Sequence, residues 1–296
     1  MGGRDIALVS VIALAWAGNF LTAKLALHEF PPLLFTGLRL ALLATLLLPF
    51  VKPPAPGQWP RLAAVALCNG VLHFGLSFWA LRLSTTLASP AIVMQSYVPM
   101  AALLAWWWLG ERVRWRTGLA IAVSFGGVLV LGFDPAVLHS PDALWLMLVS
   151  ALFLAIGTVL MRGLRGLDLF SAQGWTALIG VGPLLMASWL LEPHPMDAIR
   201  AATWVGWTGV AYAALVASLL GHGLYYKLVQ RHPVAQVTPY LLMAPLLATI
   251  LGIVVLGDQV GPRLWLGGAM LLGGVLAIAL RKSAAPAAAV VDPAEL

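Results

Sequence analysis

The chain has 296 residues, 61% of them hydrophobic and 9% charged, with a net charge of +6 and a mean hydropathy of +0.94. A soluble domain carries about 25% charged residues, so this chain lacks the polar side chains to cover a water-facing surface. The basic excess is scattered through short loops and forms no nucleic-acid patch, while a lone Cys68 excludes an internal disulfide and a cysteine metal site.

What remains is an all-α integral membrane protein with almost no soluble domain, since a span needs about 20 apolar residues. The apolar runs predict ten spans, at 5–26, 31–50, 61–82, 87–109, 114–132, 142–161, 170–191, 204–227, 235–256 and 263–281. Pro31-Pro32, Pro53-Pro54, Asp134-Pro135, Glu192-Pro193 and His232-Pro233 mark the breaks, because proline interrupts an apolar helix. Arg4 followed by an apolar run and Ala15-Trp16-Ala17 imitates a signal peptide, but the segment has a counterpart later in the chain and is read as the first span. Residues 283–296, alanine-rich and ending acidic, read as a disordered tail.

Ala88–Glu111 carries Pro90 and Pro99 around Gln95-Ser96-Tyr97 and ends in Leu-Gly-Glu. Ala235–Asp258 lies 147 residues later, carries Pro239 and Pro245 around Tyr240, and ends in Leu-Gly-Asp. Trp16–Lys24 (WAGNFLTAK) aligns with Leu154–Arg162 (LAIGTVLMR), and Gly126-Gly127 with Gly273-Gly274. Two related halves follow, residues 1–133 and 141–282, of five helices each. Five is odd, so the second half must insert upside down, the plan of many secondary transporters. Twelve basic residues fall on the side of both termini and four on the other, which puts the termini in the cytoplasm.

These residues resemble the drug/metabolite transporter superfamily, in its ten-helix branch with two EamA-type repeats. The resemblance rests on WAGNFLTAK (16–24), HEFPPLLFTGLRLAL (28–42), YVPMAALLAWWWLGERV (97–113) and the Leu-Gly-Asp end of the ninth span. It implies an inner-membrane exporter of amino acids or similar metabolites by alternating access, similar to cysteine/O-acetylserine and aromatic amino-acid exporters. The alternative is a proton-coupled exporter of drugs or other metabolites.

All eleven carboxylates fall at helix ends, in loops or in the tail. A buried Asp or Glu is the common proton relay, so facilitated transport without a coupling ion is expected. His73 and His222 occupy the same helix of each half. Each has two readings, a substrate or proton-handling imidazole and a neutral ring satisfied by a neighbour such as Asn69, one turn before His73. Asn19 and Gln95 are either pocket-lining amides or interhelical glue. Trp16, Trp79, Trp175, Tyr97, Tyr212, Tyr225, Tyr226 and Tyr240 are the aromatic pocket candidates, Tyr97 and Tyr240 foremost, suited to apolar side chains or to cation–π contact with an ammonium. Arg39 is either a clamp for a substrate carboxylate or, as the preferred reading, a structural link within the first half. Lys24 is a gating or structural cation near the outer interface, and Pro99 and Pro245 bend their helices. Gly118, Ala122 and Gly126, with Ala269, Gly273 and Ala277, form small-residue stripes for helix packing or a dimer contact. No metal, cofactor or intramembrane enzyme chemistry is expected. The partners are a small-molecule substrate and the lipid bilayer, for a monomer or weak homodimer.

Overall fold

The computed structural model describes residues 2–111, 113–164, 166–229, 231–232 and 234–282. The expected tail at 283–296 lies outside them. Among the described residues ten helices are long and apolar enough to cross a membrane: α1 (Gly3–Ala26), α2 (Pro32–Phe50), α3 (Trp59–Leu83), α4 (Ala88–Leu109), α5 (Trp115–Gly132), α6 (Pro141–Met161), α7 (Leu169–Leu191), α8 (Trp204–Tyr225), α9 (Pro239–Leu256) and α10 (Pro262–Leu280). The protein is an all-helical, multi-pass membrane protein.

Local chemistry sets these boundaries. Pro32, Pro141 and Pro262 open their helices, where a fixed φ and a missing N–H cost nothing. Gly110 and Gly257 close α4 and α9 in the left-handed region, at φ 65° and 72°, so each Leu-Gly-acid motif is a helix stop that requires glycine. Pro99 has no N–H for the Gln95 carbonyl, and α4 breaks there into Ala88–Val93, a 3₁₀ turn at Met94–Ser96, and Tyr97–Leu109. In α9, which is preceded by helical residues from Val234, the chain breaks after Leu241 and resumes as Met243–Leu251.

Helix α5 lies along α10, and α2 along α7. Helix α1 packs on α8 and α9, and α6 packs on α3 and α4. Exchanging each helix with the one five places away leaves α5–α10 and α2–α7 as they are and turns the pairings of α1 with α8 and α9 into those of α6 with α3 and α4.

At the end where the even-numbered helices begin, four carboxylates reach to the starts of other helices. Glu29, after α1, accepts from Thr203 N and Thr203 Oγ1, both at 2.7 Å, and from Gly206 N at 3.2 Å. Glu192, after α7, accepts from Leu33 N at 2.6 Å and Leu34 N at 3.0 Å. Asp134 takes Leu264 N at 3.0 Å, and Asp258 takes Leu87 N at 2.6 Å. The first amides of a helix have no internal partner and carry its positive end, so each carboxylate satisfies donors that apolar surroundings would leave orphaned. At the opposite end Arg61 Nη1 donates to the Gly163 carbonyl at 2.8 Å, and Arg162 pairs with Glu111.

The α5–α10 contact within the chain does not run along most of the expected stripe, although Gly126 faces Met270 and Ala277 packs beside Ala120 and Ile121. A side chain at Gly118 or Gly273 would meet nothing within 4 Å, and Ala122 and Ala269 are exposed. The stripe that packs is one step round the helix. A Cβ at Gly127 would lie 2.5 Å from the Gly267 carbonyl oxygen, and one at Gly274 would lie 2.6 Å from that of Ala120. Each Gly-Gly pair places a glycine in both stripes, so spacing alone could not choose between them.

Candidate functional site

Helices α3 and α8 both depart from α geometry. Residues Ala66–His73 and Tyr212–His222 are π-helical, and each stretch ends on the histidine singled out in the sequence. A π turn pairs residues five apart and leaves carbonyls and side chains that regular winding would hide, which is why such turns recur at functional sites. In α8 the Ser218 hydroxyl donates to the Ala213 carbonyl five residues back at 2.8 Å. The Ala217 carbonyl accepts from Trp16 Nε1 of α1 at 3.2 Å.

Arg39 of α2 crosses to this segment. Its Nη2 donates to Ser218 Oγ at 2.8 Å, and its guanidinium carbon lies 3.9 Å from the centre of the Phe74 ring. The side chain is 2% exposed, and Nε and Nη1 are buried without a hydrogen-bond partner. The preferred reading of Arg39 placed its partners inside the first half. Its hydrogen bond instead joins α2 to α8.

His73 is buried against α6. The Ser150 hydroxyl donates to the His73 carbonyl at 2.9 Å, so Ser150 Oγ accepts from His73 Nδ1 at 2.8 Å. Asn69 is not the partner expected for it, because the π turn swings residues four apart out of line. The Asn69 amide instead fills the space over Gly157 of α6. His222 is half-buried. Its Nδ1 donates to the Ser218 carbonyl at 3.3 Å, and its ring lies 5.3 Å from that of Trp16. With Nδ1 donating in both rings, Nε2 of each histidine is an acceptor. Both imidazoles lie within electrostatic reach of Arg39.

The other candidates divide. Asn19 Oδ1 is buried without a partner on α1, one turn beyond Trp16. Gln95 is half-buried at the 3₁₀ break of α4. Tyr97 packs with Ala101, Ala155 and Val159 between α4 and α6. Trp175 is not in the central cluster: its Nε1 donates to the Lys52 carbonyl at 2.8 Å, and its ring stands edge-on to Trp59 at 4.8 Å. Tyr240 is exposed on α9. Lys24 donates to the carbonyls of Leu81 (2.8 Å), Arg82 (3.3 Å) and Ser84 at the end of α3, where a cation meets the negative end of the helix. Pro99 and Pro245 are both buried.

Sequence reasoning missed Ser150 and Ser218, the hydroxyls that hold His73 and Arg39, and the unpartnered Ser96 and Gln173. A serine in an apolar helix has no signature that separates such a role from ordinary packing. Two cavities lie at the ends of the bundle. One of about 770 Å³ is lined by Arg4, Asp5, Leu8 and Lys227, and one of about 330 Å³ by Thr85, His139, Asp258 and Gln259. Neither is lined by the central residues.

The cluster can bind an anion through Arg39 and can accept hydrogen bonds through two neutral imidazoles. Among the described residues no carboxylate joins it. The two halves of the chain, residues 4–133 and 142–280, each match the EamA-like transporter family. A probable amino-acid metabolite efflux pump of Salmonella typhimurium is 28% identical over 94% of both chains. An uncharacterised inner membrane transporter of Escherichia coli is 24% identical over 94% of this chain and 91% of its own. A solved crystal structure shares the fold at a TM-score of 0.61 and 18% identity, over 95% of this chain and 99% of the other. With a family match that spans nearly all ten helices, the chain belongs to the EamA-like transporter family.

Proposed function

We propose that this chain exports amino acids and related small metabolites across the inner membrane by alternating access, with broad specificity and no coupling ion. One observation carries the reading. Side chains from both halves (Trp16, Arg39 and His73 from the first, Ser150, Ser218 and His222 from the second) meet inside the bundle, and no carboxylate is among them. Polar residues are costly in lipid and mark transport paths. A site between two halves opens alternately as one half rocks against the other. The kinship with a protein named for amino-acid metabolite efflux supports the substrate class.

In this reading residues 1–133 and 141–282 are the two repeats, inserted in opposite senses, with both termini cytoplasmic. The surplus of basic residues on the side of the termini supports that orientation. Asn19, Gln95 and Tyr97 join the central cluster in lining the path, and the breaks at Pro99 and Pro245 supply the bending.

The test is uptake of a panel of labelled amino acids by the purified protein in liposomes, with and without an imposed pH gradient. Uptake of several amino acids that ignores the gradient is the expected result. Uptake driven by the gradient would overturn the uncoupled mechanism, and no uptake of any amino acid by folded protein would overturn the substrate class.

A further inference from the structure

We infer that Arg39 is the anchor for a substrate carboxylate, and that a free carboxylate is the dominant requirement of the transport site while the ammonium is secondary. This rests on the reading of the central cluster as that site.

The guanidinium has five N–H donors in a planar fork. Its flat face is covered by Phe74, and one nitrogen is bound to Ser218. Nε and Nη1 are buried and unpartnered. Nη2 carries two N–H groups, one toward each of them, and Ser218 takes only one, so one edge of paired donors stays open. Such an edge takes the two oxygens of a carboxylate in parallel. No described residue supplies them: Glu29, Asp134, Glu192 and Asp258 are held by backbone amides at the starts of helices, and the remaining described carboxylates also sit at helix ends. A charge in the membrane interior without a counter-ion is costly, and a substrate carboxylate would supply the one that the described residues do not.

The ammonium of an amino acid meets different chemistry. The neutral acceptors near Arg39 are Nε2 of His73 and of His222, and Trp16 adds a ring face. These are dipoles and not charges, so the ammonium gains charge–dipole contacts alone, whereas the carboxylate meets a full opposite charge in addition to paired donors. Losing the carboxylate must therefore weaken binding much more than losing the ammonium.

The experiment uses the full chain in proteoliposomes, with labelled leucine taken up against unlabelled competitors. Leucine and 2-hydroxy-4-methylpentanoate, which keeps the carboxylate and lacks the ammonium, are expected to compete within about tenfold of each other. Leucinamide and 3-methylbutylamine are expected to be weaker on the order of a hundredfold. An amide that competes as well as the acid overturns the inference while the export reading survives. Arg39→Lys and Arg39→Gln protein that remains monodisperse is expected to lose the preference of acid over amide, and a retained preference overturns the assignment to Arg39. If no labelled amino acid is taken up, the export reading fails first. The anchor is then tested by thermal unfolding of the wild-type protein, which carboxylates should stabilise more than amides or sodium chloride do. An equal shift from chloride overturns it, because the guanidinium would then hold only an inorganic anion.

Discussion

The fifth and tenth helices and the third and eighth helices occupy matching places in the two halves, yet they are built in opposite ways. Helices α5 and α10 touch backbone to backbone. Gly127 and Gly267 each face the other's carbonyl oxygen, and Ser124 Oγ donates to the Ala120 carbonyl at 3.0 Å and lies 3.4 Å from the Leu271 carbonyl oxygen across the contact. Helices α3 and α8 are π-wound and turn polar groups toward the opposite half, His73 to Ser150 and Ser218 to Arg39. Regular winding with small residues gives van der Waals contact and offers a substrate nothing. Wide turns weaken the helix and present donors and acceptors. The first pair packs as a scaffold, and the second presents polar groups between the halves, which is where the proposed site lies.

The scaffold side of this contrast breaks most easily. Gly127→Ala places a Cβ against backbone atoms of α10 that cannot rotate away, and is expected to cost about 3 kcal/mol, read as a lower unfolding temperature in detergent. Gly118→Ala and Gly273→Ala meet nothing, and removing glycine from a helix interior is worth up to about 1 kcal/mol. They should leave stability unchanged or slightly raised. Equal losses at Gly118 and Gly127 would show that the packed stripe has been misplaced.

The two histidines sharpen the other side. His73 is 4% exposed and locked by two hydrogen bonds to Ser150. His73→Ala removes a ring and a buried bond, at a cost of about 2 kcal/mol. His222 is half-buried and held by a carbonyl of its own helix and by Trp16. His222→Ala should cost about 1 kcal/mol or less and should lower transport by more than its stability loss explains. The same unfolding assay paired with liposome uptake separates them. A His222→Ala protein that melts as early as His73→Ala and transports normally would remove the distinction.

How much of this could be read in the sequence follows from how local each feature is. The spans and their breaks were legible because apolar length and proline act on their own segment, and the Leu-Gly-acid stops at Gly110 and Gly257 were visible as repeated motifs. The four end carboxylates were visible only as non-membrane residues, since nothing near Glu192 in the chain points to Leu33 and Leu34, 158 and 159 residues away. Arg39, His73 and His222 stood out because charge and imidazole are rare in apolar helices. Their partners did not, because Ser150 and Ser218 look like any small residue. The π turns are not marked in the sequence, since the glycine in each, Gly70 and Gly221, is one of 29 in the chain, which is why the spacing pairs Asn69 with His73 although the winding does not keep it. Trp175 was grouped with the pocket by residue type, whereas its Lys52 contact fixes it at a helix end.

The smallest effect concerns how α8 is held beyond its π stretch. Glu29 ties the end of α1 to the first turn of α8 through the hydroxyl and amide of Thr203 and the amide of Gly206. The Thr203 hydroxyl, followed by those amides, keeps the Glu29 carboxyl below its usual range. A carboxylate whose folded pKa is depressed stabilises the fold above its unfolded value, and that contribution is lost as the pH falls through the folded one. Unfolding temperature should therefore hold from neutral pH down to the ordinary carboxylate range and decline below it, with Glu29→Gln flattening part of the decline. Because the group is accessible to solvent, the difference should stay under about 1 kcal/mol. The π stretch of α8 is held separately, by Trp16 and Arg39, so Glu29→Gln should leave uptake intact at neutral pH. A Glu29→Gln protein that is stable but cannot transport would mean that the first turn of α8 and the central cluster act as one unit, and that the wide turns do not isolate the proposed site from the helix ends.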